Sequence, residues 1–474
     1  MSDLRPRQTK IVATLGPATD APGVLDALVT AGLDCARLNC SHGTTDELLA
    51  RAHAVRAAAQ RAGRPVGVLF DLQGPKLRLS QSTFERRVAV GEAITFSSGG
   101  LADTPGHATV DFDGFAGLVT ERSEIVVGDG VPRFAVERMG DEAVVARAVS
   151  AGAIAPRKGI NVVHARPDLP AVTEKDVSDL DAAMTAGADL VALSFVRSAA
   201  DIEGLRRRLR AGGSRARIVA KIETVEAYER LDEIIDAADG VMVARGDFGV
   251  TAGLARVPLM QKDTITRATQ AGKFVITATQ MLESMIDAPE PTRAEVADVA
   301  NAVIDGTSAV MLSAETGVGR HPVEAVRVMS LVAVAAEETP VIHGRARVAE
   351  WPRDAAADTV MHAAVGLAEE LAARVLVVPT TTGGAVRACA KFRPRTPILA
   401  LAHDPTVAAQ LTVEWGVQPV VDGVGGSPDE LIESALRIAR DVGGLVGGDR
   451  VVLTAGPMAF RSGATNAIVV RELP

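Results

Sequence analysis

The chain has 474 residues, 50 Lys+Arg against 59 Asp+Glu, a formal charge of −9, 47% hydrophobic residues and 23% charged ones. These are ordinary globular values, which exclude global disorder, and the length suggests about three domains. An acidic balance with no basic stripe argues against nucleic-acid or membrane-surface binding, so a phosphorylated ligand would have to be met by positive groups gathered locally.

The opening MSDLRPRQTK has no apolar signal region, and no apolar run reaches membrane-spanning length. Cys35, Cys40 and Cys389 are too few for a disulfide framework and read as buried thiols. A cytoplasmic protein without nucleic-acid or membrane partners is expected. Of the 50 basic residues, 42 are Arg and only 8 are Lys. Each Lys therefore marks a place where a compact ammonium could be needed.

Short apolar runs recur along the chain: KIVATLG from Lys10, CARLNCS from Cys35, VGVLFDLQG from Val66, LVALSF from Leu190, IVAKIE from Ile218, GVMVARGD from Gly240, FVITATQ from Phe274 and AVMLSAE from Ala309. Each has strand length and is apolar nearly throughout, as parallel strands covered on both faces are. Helical patterns such as TEKDVSDLDAAMTAG separate most of them. Eight such units predict an α/β fold, a (β/α)8 barrel. The spacing breaks once, after Gly74-Pro75, where alternating runs (VAVGEAITFSS, HATVDFD, EIVVGDG, FAVERMGDEAVVARAV) predict an inserted small β-barrel standing as a lid over the barrel mouth. Beyond about residue 345, helix and strand alternate again in a separate α/β domain. The expected boundaries are 1–72 for the first part of the barrel, 73–157 for the lid, 158–340 for the rest of the barrel and 341–474 for the C-terminal domain.

Barrel enzymes carry their reacting groups at the C-terminal ends of the strands. Here those ends hold Arg37, Asn39, Ser41 and His42, then Asp71, Ser194, Lys221 and Glu223, Arg245-Gly246-Asp247, Thr279, and Ser313 with Glu315. Packing alone does not explain so many polar groups at one end. Lys221 and Glu223 alternate and so face the same way from one strand. They could be a buried ion pair tying strands together, but Asp247 ends the next strand. Two carboxylates plus substrate oxygens and water is a usual Mg²⁺ arrangement. Gly246 beside Asp247 suggests close approach by a ligand. Arg37 could clamp a phosphate or carboxylate with two donors. In the C-terminal domain, Thr380, Thr381, Thr382, Gly383 and Gly384 follow a strand and open a helix. Such a turn can offer backbone N–H groups to a phosphate, or be an ordinary strand-to-helix turn.

CARLNCSHG, FDLQGPKLR, RKGIN, LSFVRS, AKIET, VMVARGDFGV, ITATQMLESM, PTRAEVADVANAVIDG and MLSAET together resemble the successive signatures of the pyruvate kinases. The resemblance runs from Lys10 through the C-terminal domain. It implies the fold read above, and phosphoryl transfer from phosphoenolpyruvate to ADP, giving pyruvate and ATP as the last step of glycolysis. By match of motifs, Glu223 and Asp247 hold Mg²⁺ (or Mn²⁺), and Arg37 and Lys221 contact the transferring phosphoryl. Gly246, Asp247 and Thr279 seat the substrate carboxylate, and Thr279, Ser313 and Glu315 line a proton relay to the enolate. Asn39, His42, Arg78 and Lys158 match nucleotide-side positions. A homotetramer is implied; Thr380–Gly384 resembles the family's phosphate-binding turn without the wider fructose-bisphosphate pocket, which leaves room for an allosteric sugar phosphate or nucleotide there.

Three departures from the family pattern stand out. Where the commoner motif reads D-T-K-G-P-E-I-R, this chain has Asp71-Leu72-Gln73-Gly74-Pro75-Lys76-Leu77-Arg78. The family holds a monovalent cation through groups matching Asn39, Ser41, Asp71 and the backbone of Leu72. Lys76 resembles the potassium-independent branch, in which an ammonium substitutes for K⁺, so K⁺ is expected not to be required. Thr251 stands where GVE has Glu, and Ala314 where SGET has Gly. Two other readings remain: a Mg²⁺-dependent aldolase or lyase handling pyruvate enolates, which would lack the lid and Lys158, and a non-catalytic sensor of phosphometabolites, which would not need Arg37, Lys221, Glu223 and Asp247 intact.

Overall fold

The computed structural model describes residues 7–99, 104–128, 130–164, 170–339, 356–421, 428–455 and 466–473. The eight apolar runs form Lys10–Leu15, Cys35–Asn39, Gly67–Asp71, Leu190–Leu193, Arg217–Ile222, Gly240–Ala244, Phe274–Ala278 and Ala309–Leu312, all parallel, in one closed barrel. Closure comes from the first strand pairing with the eighth, Lys10 opposite Ala309. Helices cover the outside, so residues alternating outward pack into the largest core and those alternating inward fill the bore. The bore contains Val12, Leu69, Val219, Met242 and Phe274, and it is plugged at its N-terminal end by Val413 of the C-terminal domain. With that end blocked, only the opposite end is open to chemistry.

The lid is a seven-stranded sheet with its own core around Phe96, Phe115 and Phe134. Its two edge strands meet at a bridge between Leu79 and Val110. Flanking bonds from Ser80 N–H to Thr109 O (2.8 Å) and from Asp111 N–H to Arg78 O (2.9 Å) curl the sheet back on itself. The expected return to the barrel at residue 158 is too early. Strand Gly159–Val163 pairs with Leu77–Arg78 and Glu124–Val127 inside the lid sheet, and the next barrel element is helix Glu174–Thr185. Entry to the lid is pinned at Gly74. Its φ is +68°, a Cβ there would lie 2.9 Å from Ser194 Cβ, and its N–H is taken by the buried Asp176 at 3.0 Å.

The C-terminal domain has five strands in the order Val417–Val421, Ile398–Ala402, Val375–Thr380, Arg450–Ala455, Ala467–Glu472, the last antiparallel. The expected boundary at residues 340 and 341 lies outside the described residues. This domain is locked to the barrel base by a buried ion pair, Arg217 Nη1 to Glu414 Oε1 at 2.7 Å, and by Arg393, whose Nη2 donates to the Gly306 carbonyl at 2.8 Å and to Ser308 Oγ at 3.0 Å. Among the described residues, no helix is long and apolar enough to cross a membrane.

Candidate active site

Lys221 sits at the open end of the fifth barrel strand, and its ammonium is surrounded by oxygen. Nζ donates to Ser194 Oγ at 2.6 Å and lies 3.0 Å from Glu223 Oε1 and 3.2 Å from Asp71 Oδ1. The Ser194 hydroxyl in turn donates to the Leu72 carbonyl at 2.7 Å, which turns its lone pairs toward Lys221. Burial works against the Lys221 charge, but Asp71 and Glu223 more than offset it, and the group is held above the ordinary lysine range. Burial likewise disfavours the Asp71 carboxylate, yet Lys221 and Arg37 keep it below the usual range. Both charges are therefore permanent at neutral pH.

Arg37 is the second fixed cation. Its Nε donates to Asp71 Oδ2 at 2.7 Å and Nη1 to Thr14 Oγ1 at 2.8 Å. Thr14 and Arg37 are register partners on adjacent strands, and Thr14 in turn donates to the Leu312 carbonyl at 2.9 Å. Asn39 is opposite Asp71 in the same sheet, and its Oδ1 accepts from Ser41 N–H at 3.1 Å. The groups matched to a monovalent cation thus lie on neighbouring strand ends. Asp71 Oδ1 is buried and makes no aligned hydrogen bond, so its lone pairs meet only the charge of Lys221.

Asp247 arrives from the side. Helix Arg245–Ala252 begins directly at the end of the sixth strand, and Asp247 is in its first turn, where the helix dipole favours a carboxylate. Burial raises the Glu223 carboxyl, Lys221 pulls it down, and the nearby Asp247 charge raises it again, leaving it above the ordinary value. Two carboxylates that repel one another at the mouth of a barrel are a donor set suited to a hard divalent cation. Among the described residues no three His, Cys, Asp or Glu side chains converge, so oxygens from substrate and water would complete such a site. The Lys76 ammonium lies 3.5 Å from Asp247 Oδ1, and both side chains line a cavity of about 830 Å³ between lid and barrel, with Arg78, Asn161, Gly246 and Gln280. Three cations and three carboxylates alternate across this mouth.

The seventh strand ends in backbone strain. Thr279 has φ +71° and Gln280 φ +53°, values a β-branched residue such as Thr279 adopts only when its surroundings enforce them. Arg245 does so, donating to the carbonyl of Thr279 at 2.6 Å while anchored to Asp298 at 2.7 Å. Thr279 Oγ1 accepts the Gly246 N–H at 2.8 Å, so this amide, expected to seat a carboxylate, is bonded to the threonine beside it. Glu315 is buried, and its two oxygens accept from Ser313 N–H (2.6 Å) and Leu282 N–H (3.1 Å). That geometry holds the ends of the seventh and eighth strands in place around Ser313.

The nucleotide-side residues are less tightly bound. His42 is exposed, and what burial it has lowers its pKa, followed by Arg78, Arg37, Lys76 and Lys175. Those four cations around one imidazole are the local gathering of charge that an acidic chain needs for phosphates. Arg78 donates to the Arg157 carbonyl at 3.2 Å, and Lys158 Nζ to the Ala153 carbonyl at 3.1 Å, within the lid. In the C-terminal domain the turn at Thr380–Gly384 is closed by Gly383 N–H donating to Thr380 Oγ1 at 2.9 Å, and Arg387 donates to the Thr382 carbonyl at 3.1 Å.

Three contributors escaped the sequence reading. Thr14 orients Arg37; its place at a strand end could have flagged it. The Phe195 N–H donates to Glu223 Oε2 at 2.7 Å from a residue with φ +53°. Arg133 of the lid bonds the Val250 carbonyl on the helix that carries Asp247. Neither of these last two has a local sequence signal.

Comparison with known proteins bears on the whole chain. The family model described as pyruvate kinase, barrel domain, matches residues 6–326, and that described as pyruvate kinase, alpha/beta domain, matches residues 358–471. A pyruvate kinase of Mycobacterium tuberculosis is 39% identical over 477 residues, covering 98% of each chain. One from Methylorubrum extorquens is 39% identical, covering 99% of this chain and 98% of its own. One from Geobacillus stearothermophilus is 38% identical over 98% of this chain and 80% of its own. With the barrel and lid meeting at one polar mouth, the C-terminal domain seated on the opposite end, and both family models matched, the chain belongs to the pyruvate kinase family.

Proposed function

We propose that this chain transfers the phosphoryl group of phosphoenolpyruvate to ADP and protonates the resulting enolate to pyruvate. The observation that carries this is the charge arrangement at the barrel mouth: two buried, permanently charged cations, Arg37 and Lys221, beside the carboxylate pair Glu223 and Asp247. Phosphoryl transfer asks a protein mainly for positioning and for positive charge on the moving group. Lys221 is held in place by Ser194, Asp71 and Glu223, which take its three protons, so a phosphoryl oxygen would replace one of these partners, Glu223 being the one drawn away when it holds the cation. Arg37 has Nε committed to Asp71 and Nη1 to Thr14, which fixes the guanidinium plane. Glu223 and Asp247 would hold Mg²⁺ or Mn²⁺, which when bound offsets negative charge as the phosphoryl departs. The first turn of helix Arg245–Ala252, with the Thr279 hydroxyl, would seat the substrate carboxylate. Thr279 and Ser313 line the path for the proton, and Glu315 positions Ser313.

On the nucleotide side, His42, Arg78 and Asn39, with Lys158 from the lid, would meet ADP phosphates once the lid moves. Lys76 stands at the lid entry, close enough to His42 and Asp247 to supply the charge that a monovalent cation gives elsewhere, so turnover is proposed to need no K⁺. The turn Thr380–Gly384 is proposed for a phosphorylated effector, the assembly as a homotetramer and the location as cytoplasmic. The test is a lactate-dehydrogenase-coupled assay with phosphoenolpyruvate, ADP and Mg²⁺ in Tris buffer free of K⁺. Pyruvate formation is expected, and its absence with and without added K⁺ would overturn the reading.

A further inference from the structure

Thr251 is the one departure in the metal-side motifs, and the structure gives it a specific contact. It lies four residues after Asp247 in helix Arg245–Ala252, one turn along the same face. Its Oγ1 is 3.2 Å from the carbonyl of Phe248 and 3.1 Å from the carbonyl of Glu223. Bonding to the carbonyl three residues back is what threonine does in many helices and says nothing about a site. The second acceptor is different: it is 28 residues away, on the end of another strand, and belongs to the residue whose side chain faces Asp247.

Glu223 is thereby held at three points. Phe195 N–H (2.7 Å) and the Lys221 ammonium (3.0 Å) orient its carboxylate, while Thr251 holds its main chain. Only the third of these contacts comes from the helix that bears Asp247. Other polar contacts of that helix run elsewhere: Arg245 to Asp298 and the Thr279 carbonyl, Gly246 N–H to Thr279 Oγ1, Asp247 to Lys76, and the Val250 carbonyl to Arg133 of the lid. A glutamate at position 251 could not replace the bond, because an ionised carboxylate only accepts, and the group to be held is a carbonyl.

We infer that Thr251 is a positioning residue that sets the spacing of the Glu223 and Asp247 carboxylates and through it the affinity for the divalent cation. This rests on the assignment of those two carboxylates to the cation under the proposed function. Thr251→Val keeps the shape and removes the donor. The probe is Mn²⁺ alone, its free concentration read by electron paramagnetic resonance in titrations of the purified full-length protein, without substrate. Groups that orient metal ligands typically contribute tenfold or more to affinity, so the dissociation constant is expected to rise about tenfold in Thr251→Val and in Thr251→Ala. Thr251→Ser, which retains the hydroxyl, is expected to restore it, with thermal midpoints used to confirm that all variants are folded. Unchanged Mn²⁺ affinity in both the Val and Ala variants overturns the inference, as does a Ser variant as weak as Val, which would put the effect in methyl packing. Glu223→Gln separates the two levels. If it binds Mn²⁺ like the parent, the metal assignment itself fails; if it alone weakens binding, only the role of Thr251 fails.

Discussion

Replacing Lys221 by Met isolates the charge at the centre of the site, because Met fills most of the lysine stem without the ammonium. The side chains of Lys221, Asp71 and Glu223 are 11%, 1% and 1% exposed, so water does little to compensate. After the change Asp71 keeps Arg37 at 2.7 Å, but Glu223 keeps only the Phe195 N–H, and its charge is stranded. Removing one partner of a buried pair costs about 3–5 kcal/mol. Urea unfolding should therefore show a lower midpoint with an unchanged slope. Loss of one preorganised charge from the transition state should lower kcat by about 10²–10³, measured at a temperature where circular dichroism shows the variant folded.

The pH dependence supplies a further check on the same variant. In the parent, Asp71 titrates below its unfolded value, so its contribution is present at neutral pH and lost as pH falls. In the variant Glu223, already raised by burial, loses the ammonium that pulls it down and rises further. Between the unfolded glutamate value of about 4.3 and that raised value, the folded state binds more protons than the unfolded one, so acid relieves the stranded charge. The stability gap between parent and variant should narrow from pH 8 toward pH 5. A gap that stays constant or widens, or a variant with full turnover, would refute the argument.

Lys76→Met should lower turnover in K⁺-free buffer about tenfold, the worth of one charge-assisted contact, and added K⁺ should recover part of it; equal rates with and without K⁺ in this variant would count against the substitution of ammonium for metal. Asp189 is buried and pushed up to about 6, against the opposing pull of Arg56 at 2.8 Å and the Val68 N–H at 2.8 Å. Its folded state binds the extra proton between about pH 4 and 6, so stability from this group falls by about 3 kcal/mol as pH rises through that window. Asp189→Asn should flatten that slope in unfolding measured from pH 4 to 7. Glu414→Gln leaves Arg217 charged and buried between barrel base and C-terminal domain, and should cost about 3 kcal/mol, read as a lower urea midpoint and faster limited proteolysis.

The lysine count shows how far composition reaches. Lys221 and Lys76 do lie at the barrel mouth, and Lys158 stands in the lid. The others have structural partners: Lys175 holds the Cys40 carbonyl and Asp179, Lys10 the Val417 carbonyl, Lys262 pairs with Asp305, Lys273 with the Ala238 carbonyl, and Lys391 with Asp358. Five of the eight lysines thus make ordinary structural ties, and rarity by itself does not mark a site residue.

All eight barrel strands were readable because parallel strands buried on both faces must be apolar along their length, and the polar residues that end them are conspicuous by contrast. The lid boundary was placed too early because Gly159–Val163 pairs with lid strands, and pairing is invisible in one segment alone. Local periodicity and residue type thus determined the barrel, the order of its parts and the residues at its mouth. Which oxygen meets which proton was decided only in the tertiary structure. The Thr251 hydroxyl on the Glu223 carbonyl, the Gly246 amide on Thr279, Lys76 beside Asp247 and Val413 in the bore all join residues distant in the chain, and such contacts exist only once the closed sheet has brought the strand ends together.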